Sequence, residues 1–238
     1  MILLTRGDRE YLREPGSTLE TDLGIVEIPE DARPGDVLES HLGEEFRVRP
    51  LRGPDLFDHF ERTGAPMLPR DVGLVLGETG IADGDRVLDA GTGTGVLAAY
   101  MGRVGADVIT YERNPEFAEV ARRNVRLAGL TERVEVRTGD LTDAIDELSG
   151  FDALTLDTED APDVVARADE LLVPGGFLAV YSPFVEATCE VTETARETLS
   201  DVRAVETIQR ELDVDERGTR PTTGPVGHSG YLVFARSD

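Results

Sequence analysis

Apolar positions between residues 86 and 235 fall into short runs and helical stripes that take turns along the chain. Runs over 86–89, 107–111, 133–137, 151–156 and 176–181 read as strands, while 95–103, 115–128, 141–148, 162–172 and 185–199 carry the spacing of helices. Such alternation implies one parallel sheet with helices on both faces and a ligand site at the carboxyl ends of its strands. Strands over 203–210 and 230–235 bring the count to seven. Because the last follows a strand rather than a helix, it is expected to insert antiparallel. Before residue 80 the pattern differs. Short β runs at 2–4, 10–13, 17–21, 24–28, 37–40 and 45–51 are punctuated by Pro15-Gly16, Pro29 and Pro34-Gly35, as in a small barrel or meander. Helices over 54–62 and 70–79, joined by the loop Gly64 to Pro69, lead into the alternating region. The expected organisation is a small N-terminal β domain at 1–55 and an α/β domain at 56–238.

Composition narrows the setting. The 238 residues hold 48 acidic side chains against 24 basic ones, and every basic residue is arginine. A net charge of −24 spread along a chain with regular apolar spacing is not a disordered tail. It suits a surface in concentrated salt, where the Debye length falls to about 3 Å at 1 M and carboxylates barely repel one another. That implies a halophile and a cytoplasmic protein. Phosphate attraction is largely screened under those conditions, so the acidity does not exclude RNA as a partner. The single Cys189 cannot form an internal disulfide, no Cys/His cluster has zinc spacing, and no run of 18 apolar residues occurs. Neither a metal nor a membrane partner is expected.

The segment Asp89-Ala-Gly-Thr-Gly-Thr-Gly-Val-Leu carries the most chemistry. Glycines at 91, 93 and 95, between a strand and a helix, leave bare backbone against which a nucleotide-like cofactor can lie. An acid about 20 positions further on, suited to a ribose, is present as Glu112. Val96 stands where an NAD-binding loop wants a small residue, which turns the reading away from a dinucleotide. Other strand ends supply Asp140, placed to accept from an adenine amino group, and Asp157, which should protrude where a methyl acceptor meets a cofactor. Phe117, one turn into the following helix, suits the face of an adenine. Each has an ordinary structural alternative: Glu112 a solvated loop acid, Phe117 a core residue, Asp157 a helix cap.

Taken together, the residues resemble the tRNA (adenine-N1)-methyltransferases of the bacterial and archaeal type, class I S-adenosylmethionine-dependent enzymes acting on the T loop. The likeness spans the chain: Gly24 to Ile28, His41 to Val48, Arg62 to Gly73, the glycine loop, Tyr111 to Arg122, Leu156-Asp157, and Arg220 to Arg236. It implies a seven-stranded Rossmann-like sheet with S-adenosylmethionine bound by Gly91, Gly93, Thr94, Gly95, Val96, Leu97, Glu112, Phe117 and Asp140. Asp157 would be the catalytic aspartate, also lying against the cofactor. It would accept from the adenine N6 amino group and hold N1 for attack on a base extruded from the folded tRNA. The same resemblance places Arg220, His228 and Tyr231 near the substrate mouth, gives RNA backbone to the β domain, and implies a homotetramer. Two segments depart from the family pattern. The run after Asp157 is Thr-Glu-Asp-Ala-Pro-Asp, in a chain with no tryptophan, and the junction has Ala65-Pro66 in place of a glutamine-isoleucine pair. Protein isoaspartyl carboxyl methyltransferases, corrinoid-precursor methyltransferases and a noncatalytic RNA-binding subunit share the general domain. The chain ends disfavour the first two, and the intact acids the third.

Overall fold

A computed structural model describes all 238 residues. The chain opens with β1 (Ile2–Arg6), β2 (Arg9–Arg13), β3 (Thr18–Thr21), β4 (Gly24–Glu27), β5 (Val37–Glu39) and β6 (Glu45–Arg49). β1, β2, β5 and β6 form an antiparallel sheet in the order β2-β1-β6-β5, and β3 and β4 form a separate hairpin. Strict alternation explains the packing: in β6 Phe46 and Val48 are buried while Glu45, Arg47 and Arg49 face out. Those inward residues meet Ile2, Leu4, Leu19 and Val26 in one apolar cluster. Burying each such side chain contributes about 1.5–3 kcal/mol. The His41 ring fastens the hairpin to the sheet by accepting from the Ile25 amide at 2.8 Å.

Two helices follow, α1 (Gly53–His59) and α2 (Pro69–Thr79). The alternating region then runs β7 (Arg86–Ala90), α3 (Val96–Arg103), β8 (Asp107–Glu112), α4 (Pro115–Ala128), β9 (Val134–Thr138), α5 (Leu141–Ala144) and β10 (Phe151–Leu156). It continues with α6 (Ala161–Val165), α7 (Ala168–Leu171), β11 (Leu172–Ser182), α8 (Val185–Thr198), β12 (Ser200–Glu206), β13 (Leu212–Asp215), β14 (Gly218–Pro221) and β15 (Tyr231–Arg236). Seven of these strands form one sheet in the order β12-β15-β11-β10-β7-β8-β9. Its central strands are parallel, and β15 inserts antiparallel between β11 and β12, as expected. Both faces are covered. Leu88, Leu154 and Leu178 point toward Val164, Leu171 and Val191, whereas Val87, Val108 and Ala153 point toward Ala98, Met101 and Val125. No helix is long and apolar enough to cross a membrane.

Four local expectations are corrected. The helix expected over 162–172 is two short ones, because Arg167, with φ −120° and ψ 14°, leaves the helical region between them. The helix expected over 141–148 is one turn of α-helix followed by a 3-10 turn at Ile145–Glu147. The helix over 54–62 stops at His59, where Phe60 turns extended. The strand expected over 203–210 lies at 200–206, because its partner β15 begins at Tyr231 opposite Glu206 and offers nothing to pair with beyond it.

Candidate functional site

Four neighbouring strands of the sheet, in the order β10-β7-β8-β9, carry an acid at or just past their carboxyl ends: Asp157, Asp89, Glu112 and Asp140. They surround a cavity of about 410 Å³, a size that accommodates a drug-sized ligand.

The glycine loop forms one wall. Gly91, Gly93 and Gly95 have φ of 88°, 51° and 81°, all in the left-handed region. Gly91 and Thr92 donate to the Tyr111 carbonyl at 3.0 and 3.3 Å, which bends the loop back over β8. A Cβ at Gly91 would stand 2.0 Å from the Asp157 carbonyl oxygen, so only glycine lets β7 and β10 approach this closely. Gly93, Thr94, Val96 and Leu97 also line the cavity. Gly95 does not. It precedes α3 and packs on Ala121 of α4, with Ala121 Cβ 3.5 Å from where its own Cβ would be. Its work is to bring helix against helix.

Glu112 is buried, and both carboxylate oxygens accept backbone N–H groups, from Gly93 at 2.8 Å and Asn114 at 3.0 Å. Those bonds fix the plane of the carboxylate and still leave lone pairs for a hydroxylated ligand. Asn114 caps α4 by accepting from Glu116 and Phe117, and Pro115 occupies the first turn. This cap places the ring of Phe117 on the cavity wall, 36% exposed. Asp140 caps α5 by accepting from the Thr142 amide at 2.9 Å and its hydroxyl at 2.8 Å. These bonds, the backbone one foremost, hold its pKa below the usual value, so it is ionised and keeps its second oxygen free.

Asp89 has no such freedom. It is buried beneath the loop and accepts hydroxyls from Thr110 of β8 and Thr155 of β10, tying three strand ends together. Burial pushes its pKa up to about 6, against the pull of the two hydroxyls. Asp157 follows β10, held by its amide to the Ala90 carbonyl at 2.8 Å. Its carboxyl group is open to water within the cavity, yet enough protein surrounds it that desolvation, then repulsion from Asp89 and Glu112, pushes its pKa to about 7. Arg113 spans the mouth, paired with Glu159 at 3.0 Å and Asp160 at 3.2 Å. The cavity lining thus contains six acids and a single arginine that is already engaged, which suits a ligand carrying positive charge.

The far wall is the strap Thr63 to Met67. The sequence marks this junction only by Ala65-Pro66 and is silent on what holds it. That support comes from Asn124 and Thr94, and the Thr92–Thr110–Asp89–Thr155 hydroxyl chain is likewise visible only in three dimensions.

Three expected substrate residues lie outside the cavity wall. Arg220, on exposed β14, pairs with Asp213 across the hairpin at 3.7 Å. His228 bonds to Glu206 at 2.7 Å and packs on Tyr231, with ring centroids 4.8 Å apart. The Glu206 contact also raises the His228 pKa. Tyr231 pairs with Ser182 and Glu206 at the start of β15. Local partners account for all three. Their segment reaches the site region indirectly, where Tyr181 donates to the Ser229 carbonyl and Arg70 to the Gly227 carbonyl.

Comparison with known proteins agrees with this geometry. A family model described as a methyltransferase domain matches residues 87–176. The TrmI tRNA (adenine(57)-N(1)/adenine(58)-N(1))-methyltransferase of Methanocaldococcus jannaschii is 34% identical, over 99% of this chain and 94% of its own. The tRNA (adenine(58)-N(1))-methyltransferase TrmI of Thermus thermophilus is 32% identical, over 99% and 96%. Among solved structures, a SAM-dependent O-methyltransferase from Thermotoga maritima superposes with a TM-score of 0.81 at 26% identity, covering 99% of this chain and 92% of that one. That enzyme is named for a different acceptor atom, so the shared fold does not by itself fix the acceptor. Sequence likeness does more: with identity of this extent from one end to the other, the chain belongs to the tRNA (adenine-N1)-methyltransferase family.

Proposed function

We propose that this protein transfers a methyl group from S-adenosylmethionine to N1 of an adenine in the T loop of tRNA. The observation that carries the reading is the cavity itself, where the strand-end carboxylates of Glu112, Asp140 and Asp157 share the lining with a glycine loop whose backbone is open to a ligand. The residues fit the cofactor. Gly91 and Gly93 present side-chain-free backbone on the cavity wall, and Glu112 offers an oriented carboxylate for the ribose hydroxyls. Asp140 offers a free oxygen for an adenine amino group, and Phe117, Val96 and Leu97 an apolar lining. When bound, S-adenosylmethionine supplies a methyl group on a positively charged sulfonium.

The chain contributes alignment and charge. Asp157, ionised, accepts from the N6 amino group of the acceptor adenine, which holds N1 in line with the methyl group. Its negative charge also offsets the positive charge that develops on the methylated base. The strap 63–67 closes the opposite side of the base. Label transfer from S-adenosylmethionine to a tRNA transcript tests the reading, with a transcript whose T-loop adenines are changed to guanine as control. Label in the first alone is the expected result, and equal label in both would overturn it.

Glu112→Gln is expected to weaken cofactor binding about tenfold, since a charge-assisted bond to a hydroxyl becomes a neutral one. Calorimetry checks this, and unchanged affinity would remove Glu112 from the ribose site. The acidic, lysine-free surface supports a working environment of concentrated salt in the cytoplasm of a halophilic archaeon. For the homotetramer, the support is exposed apolar surface beside the sheet edge: Phe184, Val185, Ile208, Leu212 and Val214 are 49–75% exposed. Sedimentation in molar KCl should then give about four times the 25.9 kDa chain mass. A mass equal to one chain would contradict assembly.

A further inference from the structure

Asn124 is the most completely satisfied polar side chain near the cavity that does not line it. It lies on α4, 2% exposed, and uses its whole amide. Its Nδ2 donates to the carbonyls of Glu61 and Thr94, both at 2.9 Å, while Oδ1 accepts from the Glu61 amide at 3.0 Å. Two carbonyls on one side and an N–H on the other fix which end of the amide points where. Thr94 then passes the connection on. Its hydroxyl meets the Thr63 amide at 3.4 Å and the Thr63 hydroxyl at 3.3 Å. From outside, Arg123 grips the Glu61 carboxylate at 2.8 and 3.0 Å.

Beyond this network, Arg62 donates to the Phe57 carbonyl and Met67 packs in the core with Leu56, Phe60 and Val72, and the strap's backbone has little else to hold it. From residue 61 to residue 68, only the backbone amides of Glu61 and Thr63 find protein acceptors, and both find them in this network. Thr94 belongs to the glycine loop, and Thr63 to Met67 form the opposite wall of the cavity. One buried amide therefore joins the two walls.

We propose that Asn124 is a positioning residue that couples the glycine loop to the strap of residues 61–68, so that a cofactor filling the loop also fixes the wall that receives the acceptor base. This rests on the cavity being the S-adenosylmethionine site. Asn124→Asp keeps the shape and the acceptor oxygen but sets a second acceptor against the two carbonyls. Asn124→Ala removes the connection altogether and leaves the Glu61 amide and the Glu61 and Thr94 carbonyls without these partners. The Asp variant keeps the question answerable should the Ala variant fold poorly.

Hydrogen exchange with and without S-adenosylmethionine tests the coupling. In the wild-type protein the cofactor should slow exchange at both 91–97 and 61–68. In Asn124→Asp it should still protect 91–97 but no longer 61–68. In the same variant the KM for tRNA should rise about tenfold, with kcat and cofactor affinity within about threefold, a split that a general loss of stability would not produce. Full protection of 61–68 in the variant, or protection confined to 91–97 in the wild-type protein, would overturn the coupling. No protection of 91–97 in the wild-type protein would overturn the cofactor reading, and the coupling with it.

Discussion

Asp157→Asn is expected to lower turnover about a hundredfold at saturating tRNA while leaving cofactor affinity within a few-fold, the size of effect seen when one oriented electrostatic partner is removed. The position explains the expectation. Asp157 stands past the end of β10 with its backbone amide held by the Ala90 carbonyl, which sets its side chain on the cavity wall. Desolvation by the surrounding protein, then the charges of Asp89 and Glu112, raises its pKa to about 7. The ionised form is the one that accepts from an amino group and offsets positive charge. Protonation as pH falls through about 7 therefore switches the group off, and single-turnover rate should rise with pH through that value and then level. In Asp157→Asn this limb of the profile should vanish. An unchanged rate in the variant, or a wild-type profile flat between pH 6 and 8, would remove Asp157 from the chemistry.

The second large effect is expected at Gly91. Alanine there would bring its Cβ to 2.0 Å from the Asp157 carbonyl oxygen and 2.6 Å from the carbonyl carbon, at a residue whose φ is 88°. Neither neighbour is a flexible side-chain end, so the β7 and β10 termini must separate. Left-handed backbone at a non-glycine costs about 1–3 kcal/mol and overpacking about as much again. Gly91→Ala should lose roughly 2–5 kcal/mol of stability, and thermal melting should fall by about 5–15 °C. Because the same movement displaces Asp157 and the loop, cofactor affinity should fall at least about tenfold. Gly93→Ala is the informative comparison. Its added Cβ meets nothing closer than Thr63 Oγ1 at 3.7 Å, so only the φ of 51° is penalised. Equal losses in the two variants would show that backbone conformation, and not the β7–β10 approach, governs the site.

The parts of this architecture legible in the sequence are those where chemistry and chain order coincide. Glu112, Asp140 and Asp157 follow apolar runs, so counting strands was enough to bring them together. β15 could be placed antiparallel because no helix separates it from the strand before. Where contacts come from distant segments, the sequence is silent. Asn124 reads as one more polar residue on an amphipathic helix, and nothing local says that it reaches Glu61, 63 positions earlier. Asp89 looks like another ligand-facing strand-end acid until Thr110 and Thr155 are seen to take both its oxygens. The β13–β14 hairpin was missed because its four-residue strands are exposed and charged, with no buried face to impose alternation. The family resemblance alone places His228 at the substrate mouth. The partner that holds it, Glu206, lies at the end of β12, 22 positions earlier.

Nucleoside analysis reads directly which atom receives the methyl group. The protein is incubated in molar KCl with labelled S-adenosylmethionine and unmodified tRNA from the same source, and the RNA is digested and its labelled nucleosides separated. The account predicts label in 1-methyladenosine. Label in any other nucleoside, or none in RNA from a preparation that binds the cofactor by calorimetry, would contradict it.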